Sequence, residues 1–438
     1  MTSTSPNQPL ARSANVSRPS ATPPKRTSAL VLVLGALTAV APLAVDMYVP
    51  GFPSMGESLH TSSSAIQLTM TAFLVGLVMG QLVIGPMSDG LGRRRLLLGG
   101  VIGFVLTSLL CVLAPNAGIL TAARFLQGVS AAAGMVLSRA IITDRFHGRD
   151  IPRYFAILSQ ILGIAPVAAP VLGGAVLAVS TWRAIFVVLA AIGVLLVIAV
   201  VVKVPESLPP ERRHRDGLGG NFRAMGRLVG HRGFMGYVLV LAFTSASLFS
   251  YISGSSFVFE RLHGVSATGY SMIFAVNAIG MLLAGITFGR LASRVPLNRL
   301  LTVSTGVSLL GALAQVVLVA TVGETFVGTW ITLFVSMSAI GMVFPAVMSL
   351  GQTLGRATPG AASALMGGLQ FLFGAITAPI VGLFGESSSM PMAIIILITL
   401  LLAVLALVTL ARPWLRHGEI PAEDHSSHQL AEQTSQAG

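Results

Sequence analysis

The sequence predicts an all-α integral membrane protein: twelve transmembrane helices in two six-helix pseudo-repeats, with both termini cytoplasmic. Three observations predict it. Of 438 residues, 54% are apolar and only 10% charged, against about 25% charged in soluble domains. The charges are clustered, and the intervals between clusters reach the ~20 residues that a helix needs to cross hydrocarbon. A glycine-rich basic turn, Gly85-Pro86-Met87-Ser88-Asp89-Gly90-Leu91-Gly92-Arg93-Arg94-Arg95, has a weaker copy 204 residues on, with Gly289 for Gly85, Arg299-Leu300-Leu301 for Arg95-Leu96-Leu97, and Ser293 where Asp89 stood.

Taken in order, residues 1–27 are rich in Ser, Thr, Pro and Asn, lack apolar periodicity, and read as a disordered cytoplasmic tail. The following apolar run is too long for a secretory signal, contains Asp46, and has no well-placed small-x-small cleavage site. The N-terminal half, 28–203, holds candidate spans near 29–51, 65–87, 96–115, 118–142, 155–177 and 184–203. Residues 204–232, with Pro205, Pro209-Pro210 and Arg212-Arg213-His214-Arg215, form a cytoplasmic linker. The C-terminal half, 233–411, holds spans near 233–257, 270–291, 299–320, 327–350, 361–383 and 389–411. Residues 412–438 read as a disordered tail, whose His425 and His428 have no companion ligands. Gly and Pro inside the spans are no objection, because membrane helices tolerate them and pack closely through them.

Orientation follows from the basic residues. Of 27 lysines and arginines, 23 lie in the two tails and the alternate loops that include the linker; the opposite loops hold only Arg183 and Arg261. That asymmetry predicts cytoplasmic termini in a cell membrane. The net charge of +12 is thereby spent in short loops beside lipid, which argues for the bilayer as partner and against nucleic acid. The single cysteine, Cys111, excludes an internal disulfide and a cysteine-built metal site. No cofactor motif is present.

Further internal matches support six plus six. Ala169-Pro170-Val171-Leu172-Gly173 returns as Ala378-Pro379-Ile380-Val381-Gly382, 209 residues later, and Gly134-Met135-Val136 as Gly341-Met342-Val343, 207 later.

Charge inside a span is the chemical signal. It costs at least ~2.5–3.5 kcal/mol on insertion scales, so it normally faces water or a partner. Only the first span, with Asp46, and the fourth, with Arg124 and Arg139, carry such residues. Asp46 and Arg124 fall about five and six residues from the outer ends of their spans, within ~10 Å of the interface at similar depth. They are therefore candidates for one shared site; the alternative for each is an interfacial side chain that snorkels to water. Arg139, near the inner end, reads as an anchor. Asp89 at the end of the second span can pair with Arg93, and Gly90 and Gly92 permit the turn; the alternative is charge that merely sets topology. Met47, Tyr48, Gln160, Tyr251, Asn277, Gln370 and Phe371 are candidates for lining a cavity, as are Gln67, Gln81, Gln352 and Phe373, each with packing or inter-helix hydrogen bonding as its alternative.

These motifs carry a resemblance. Gly85-x-x-x-Asp89-x-x-Gly92-Arg93-Arg94 is similar to the pattern by which the major facilitator superfamily of transporters is identified. Arg124-Phe125-Leu126-Gln127-Gly128 resembles the fourth-helix Arg-x-x-Gln-Gly motif of drug-exporting facilitators, whose arginine is tied to proton transfer. Pro166-Val167-Ala168-Ala169-Pro170-Val171-Leu172-Gly173-Gly174 resembles the fifth-helix antiporter signature, with Ala165 and Ala169 in place of two glycines. Val45-Asp46-Met47-Tyr48-Val49-Pro50 and Ser138-Arg139-Ala140-Ile141-Ile142-Thr143-Asp144 resemble segments of the Bcr/CflA group of drug-resistance exporters. The resemblance implies two parallel six-helix halves with substrate between them near mid-membrane. It also implies a cytoplasmic latch at Gly85, Asp89, Gly92, Arg93 and Arg94, proton coupling through Asp46 and Arg124, with Gln127 and Gly128 part of the same fourth-helix motif, and helix bending and close packing by the prolines and glycines of the fifth span. Some relatives carry another acid deeper in the first span; here Asp46 is expected to be the only one in a membrane-embedded stretch.

The function expected is proton-coupled export of small amphiphilic compounds such as antibiotics. The alternative is a facilitator moving a metabolite such as a sugar or amino acid. An enzyme is not indicated: the chain has no His-Glu-x-x-His, no paired intramembrane aspartates and no Gly-x-x-x-x-Gly-Lys-Ser/Thr loop.

Overall fold

The computed structural model describes residues 25–146, 150–209, 225–384 and 387–419. The first span is composite: Lys25–Asp46, a 3₁₀ turn Val49–Gly51 and a short helix Phe52–Ser58. The second to sixth are Ser63–Leu91, Arg93–Leu113, Ala117–Arg145, Asp150–Val179 and Trp182–Lys203. The seventh, Arg232–Ser256, continues in a π-helical turn, Phe257–Leu262. The eighth to twelfth are Ala267–Leu291, Leu297–Thr321, Phe326–Leu354, Pro359–Gly382 and Met390–Ala406, the last extended by a π-helical turn Leu407–Ala411. Among the described residues, twelve segments are long and apolar enough to cross a membrane.

Local chemistry sets the ends. Ser62, Asn116 and Ser266 accept from the backbone amides of Ala65, Ile119 and Gly269 and start the second, fourth and eighth spans. Gly92, at φ 93°, makes the turn between the second and third spans, where a side chain would be strained. The break in the first span has a covalent cause. Pro50 cannot donate to the carbonyl four residues back, and its ring crowds that carbonyl; that residue is Asp46, where the helix stops. Twelve residues of the span follow Asp46, through Ser58, so the expectation of five is corrected and the carboxylate sits deeper.

The packing repeats with a shift of six spans. The first half pairs 1 with 5, 2 with 4, 3 with 4, and 3 with 6; the second pairs 7 with 11, 8 with 10, 9 with 10, and 9 with 12. Two seams join the halves, 2 against 11 and 5 against 8, and each is the other's pseudo-symmetric copy. Proline again has a visible use on one seam. Pro379 leaves the Ala375 carbonyl without its helical donor, and Thr71 of the other half donates to it at 2.8 Å.

Three expectations need amending. The seventh span reaches Leu262 and takes in Glu260 and Arg261, so Asp46 is not the only acid in a membrane-crossing segment. The tail expected from 412 onward is held as far as Glu419: Tyr237 donates to the His417 carbonyl, and Asn298 donates to the Glu419 carboxylate. The first residues of the expected linker are likewise bound to the helices, as described below. Residues 1–24, most of the linker, and His425 with His428 lie outside the described residues.

Candidate functional site

Arg124 is the largest fully buried side chain. Its Nη2 donates to the Ala44 carbonyl at 3.0 Å and its Nη1 to Gln127 Oε1. Its guanidinium carbon lies 4.2 Å from the Tyr48 ring centroid, 4.3 Å from Phe73 and 5.6 Å from Phe186. Ala44 is in the last turn of the broken helix, so its carbonyl is one of those that the helix end leaves without a partner, and a cation there also meets the negative end of the dipole. Gln127 in turn donates to Ser108 Oγ at 2.7 Å. Gly128 faces the Phe73 carbonyl so closely that any Cβ would collide with it. The Arg-x-x-Gln-Gly spacing is therefore legible: the glutamine orients the guanidinium, and the glycine lets the second span bring Phe73 beneath it.

Asp46 is 4% exposed, and no described hydrogen bond or ion pair holds its carboxylate. It shares the helix break with Arg124, but the two are not paired. Ala44 and Tyr48 face the arginine, whereas Asp46, two residues from Ala44, is turned about 200° around the helix axis. It lies instead within Coulombic reach of Tyr251 and Tyr270 in the other half. There Trp330 Nε1 donates to Asn277 Oδ1 at 3.1 Å, and Asn277 Nδ2 to Tyr251 Oη at 2.8 Å. The Tyr270 hydroxyl shares a 2.8 Å bond with Ser255.

The fifth-span motif packs directly on this break. Gly173 faces the Met47 carbonyl at a distance that no Cβ could occupy. Gly174 does the same against Ser271 of the eighth span, where the Gly174 carbonyl accepts from Thr268 at 3.4 Å. Pro166 and Pro170 stand within the same helix. Of the remaining cavity candidates, Gln160 is exposed, Gln370 and Phe371 are half-buried, and Phe371 packs on Phe249 at 6.2 Å. No described hydrogen bond joins Gln160 or Gln370 to the Arg124 or Tyr251 groups.

At the arginine-rich end Asp89, with half of its side chain exposed at 50%, pairs with Arg93 at 2.7 Å. Arg93 also reaches Asp144 at 3.1 Å and the Ser88 hydroxyl. The backbone amides of Arg93 and Arg94 donate to the Glu206 carboxylate at 2.9 and 3.3 Å, and Arg94 Nη2 donates to the Val201 carbonyl. Ser207 donates to Asp144 at 2.9 Å. These bonds stay within the first half and the start of the linker. Gly85 meets only Val136 Cγ1, at 3.7 Å, so packing does not demand a glycine there.

Sequence reasoning missed Glu206. Its signal was present: Glu206 after the sixth span and Glu419 after the twelfth each receive the first amides of a helix six spans apart, the third and the ninth. Trp330, Tyr270, Phe73 and Phe186 were also missed, because aromatic residues in an apolar run carry no periodicity that separates them from ordinary packing.

Residues 34–379 match the Major Facilitator Superfamily model. The chain belongs to this superfamily. It is 39% identical over 390 residues to an uncharacterized MFS-type transporter, YdgK, of Bacillus subtilis, covering 89% of this chain and 96% of that one. It is 29% identical over 391 residues to a bicyclomycin resistance protein homolog of Haemophilus influenzae, covering 87% and 96%. Among solved structures it resembles a bacterial homolog of the human lysosomal transporter Spinster, with TM-score 0.69 and 18% identity over 92% of this chain and 100% of that one. The fold and the membrane setting expected from the sequence are those of this superfamily, whose members are transporters.

Proposed function

We propose that this facilitator exports small amphiphilic compounds, antibiotics among them, in exchange for protons, with its arginine-rich end in the cytoplasm. The observation that carries the reading is Asp46. It is a nearly buried carboxyl group, without an ion-pair partner among the described residues, at a helix break shared with a fixed guanidinium and pressed against the fifth span. Gaining or losing a proton there changes the local charge by one unit where little water is present to screen it. The change is felt at Met47, whose carbonyl bears on Gly173, and Gly174 next to it bears on the eighth span. Charge at Asp46 and the 5–8 seam between the halves are thus two contacts apart. The largely apolar surroundings, with few fixed charges, suit lipophilic neutral or singly charged compounds, and the bicyclomycin resistance protein homolog among the relatives supports an antibiotic as cargo.

Arg124 has a different part in this reading. It holds the broken end of the first helix in place and keeps a positive charge near the substrate path while Asp46 titrates. The experiment is drug-driven proton movement in liposomes of defined orientation, using tetraphenylphosphonium and bicyclomycin as probes. Asp46→Asn should abolish proton movement and uphill export. Proton-dependent accumulation against a gradient by that variant sinks the assignment.

A further inference from the structure

The second and eighth spans begin alike. Ser62 and Ser266 cap them. Ser64 and Thr268 then donate across the seams, to the Pro379 carbonyl at 3.3 Å and the Gly174 carbonyl at 3.4 Å. Gln67 and Ser271 follow, and Gly382 and Gly174 face them too closely for any Cβ. Ser266, Thr268 and Ser271 each stand 204 residues after Ser62, Ser64 and Gln67. One backbone plan thus serves both seams, and the side chains at this last position divide them. Ser271 turns its hydroxyl back to the Ala267 carbonyl of its own helix at 2.8 Å. Gln67 is longer, and its Nε2 donates to the Ser253 carbonyl of the seventh span at 3.0 Å. A carbonyl oxygen only accepts, so that bond fixes which end of the amide is nitrogen.

The Ser253 carbonyl is open to Gln67 for a reason in the backbone. An α-helix would give it the amide four residues on, that of Phe257. That amide bonds to the Gly254 carbonyl instead, where the seventh span passes into its π-helical turn Phe257–Leu262. A change of winding of this kind releases a main-chain group that must be satisfied from elsewhere. Gln67 satisfies it from the opposite half. The other end of the amide is less well served. Gln67 is 1% exposed, and its Oε1 has no donor among the described residues. It borders a cavity of about 20 Å³ whose wall includes Ser63, one turn back, with Gly254, Phe257 and Met392. That is room for one water. Gly382, lacking a side chain, leaves the space in which this oxygen lies.

We infer that Gln67 is a positioning residue for closure of the arginine-poor end. Its bond to Ser253 ties the first half to the winding change of the seventh span, Gly382 seats it, and the tie breaks each time that end opens. Ser271 makes no such bond, so the seam of 2 against 11 carries a restraint that its copy, 5 against 8, lacks at this position. The inference concerns how a transporter of this superfamily opens, and holds whichever compound is carried and whether or not protons drive it.

The test needs no substrate. Spin-label pairs across the arginine-poor end of the purified full-length protein, in lipid, report how much of it is open there. Gln67→Met keeps the length of the side chain and removes its hydrogen bonds. The ratio of open to closed molecules should rise about two- to tenfold, the range for one net hydrogen bond. Gly382→Ala should also open that end, because its Cβ displaces the amide and the second span. The double variant should then open no further than Gly382→Ala alone, since the tie is already lost. A part in packing alone would lower the melting temperature of Gln67→Met and leave its distances those of the parent. Parental distances in folded Gln67→Met overturn the inference. So does a double variant whose change is the product of the two single changes, which would make the residues independent. If Gly382→Ala does not fold, Gln67→Met decides alone, by the presence or absence of its shift.

Discussion

Arg124 shows what a single buried charge requires. An isolated ion in hydrocarbon is prohibitively costly, and it is tolerated when hydrogen bonds and polarisable faces surround it. Here a helix-end carbonyl and a glutamine take bonds from Nη2 and Nη1 and three rings cover the faces, while Nε has no partner among the described residues. The sequence made Arg124 and Asp46 visible, because each is a charge in an apolar run. It did not show how the two side chains face each other, because depth along two helices says nothing of the angle around them. The geometry calls for a planar, forked, stacking cation, which lysine is not. Arg124→Lys keeps the charge but loses one of the two directed bonds and most of the stacking. We expect transport to be lost and thermal stability to fall by about 1–3 kcal/mol, since hydrogen bonds to charged groups are worth about 1.5–3 kcal/mol each. Wild-type export and melting by Arg124→Lys would mean that only the positive charge matters.

At the scale of the elements, helix positions were legible and contacts were not. Charges bracket the spans, so the sequence located all twelve within several residues. The break in the first span was written in Pro50, but a proline in a membrane helix gives a kink as often as a stop, and only the neighbouring helices decide which. Glycines behave similarly. Gly99 has no neighbour within 4 Å of where a Cβ would sit, whereas Gly173 faces the Met47 carbonyl with no room for one, and sequence does not distinguish them. Gly173→Ala must push the first and fifth spans apart at the helix break. Overpacking of this kind costs about 1–3 kcal/mol. Purified Gly173→Ala should melt earlier and exchange drug for protons poorly, while Gly99→Ala should melt like the parent. Equal melting and equal exchange by both would show that the contact yields without consequence.

For the whole molecule, the contacts between the halves are unevenly placed. Among the described residues the hydrogen bonds that join them gather toward the arginine-poor end. Ser64 donates to the Pro379 carbonyl, Gln67 to Ser253, Thr71 to Ala375, Thr268 to Gly174 and Arg261 to Pro53. The ion pair Glu57–Arg261 at 3.0 Å closes the same end. At the arginine-rich end Arg93 of the motif bonds to Asp89 and Asp144 of its own half and to Glu206 at the start of the linker. A carrier that opens to each side in turn must exchange one set of contacts for another, and Asp89, half exposed and paired here with Arg93 of its own half, is placed to serve in the opposite state. The seal and the motif should then bias access in opposite directions. Glu57→Gln removes an exposed pair worth about 0.2–1 kcal/mol, enough to shift a two-state population by at most about fivefold toward opening of the arginine-poor end. Asp89→Asn should shift it the other way, toward the arrangement described here, and depress transport with insertion intact. Distances between spin-label pairs placed across each end measure both populations. If Asp89→Asn leaves the distributions and the transport rate of the parent unchanged, the motif serves only to fix topology and the latch assignment is withdrawn. If both variants shift the distributions the same way, the two ends are not alternative closures.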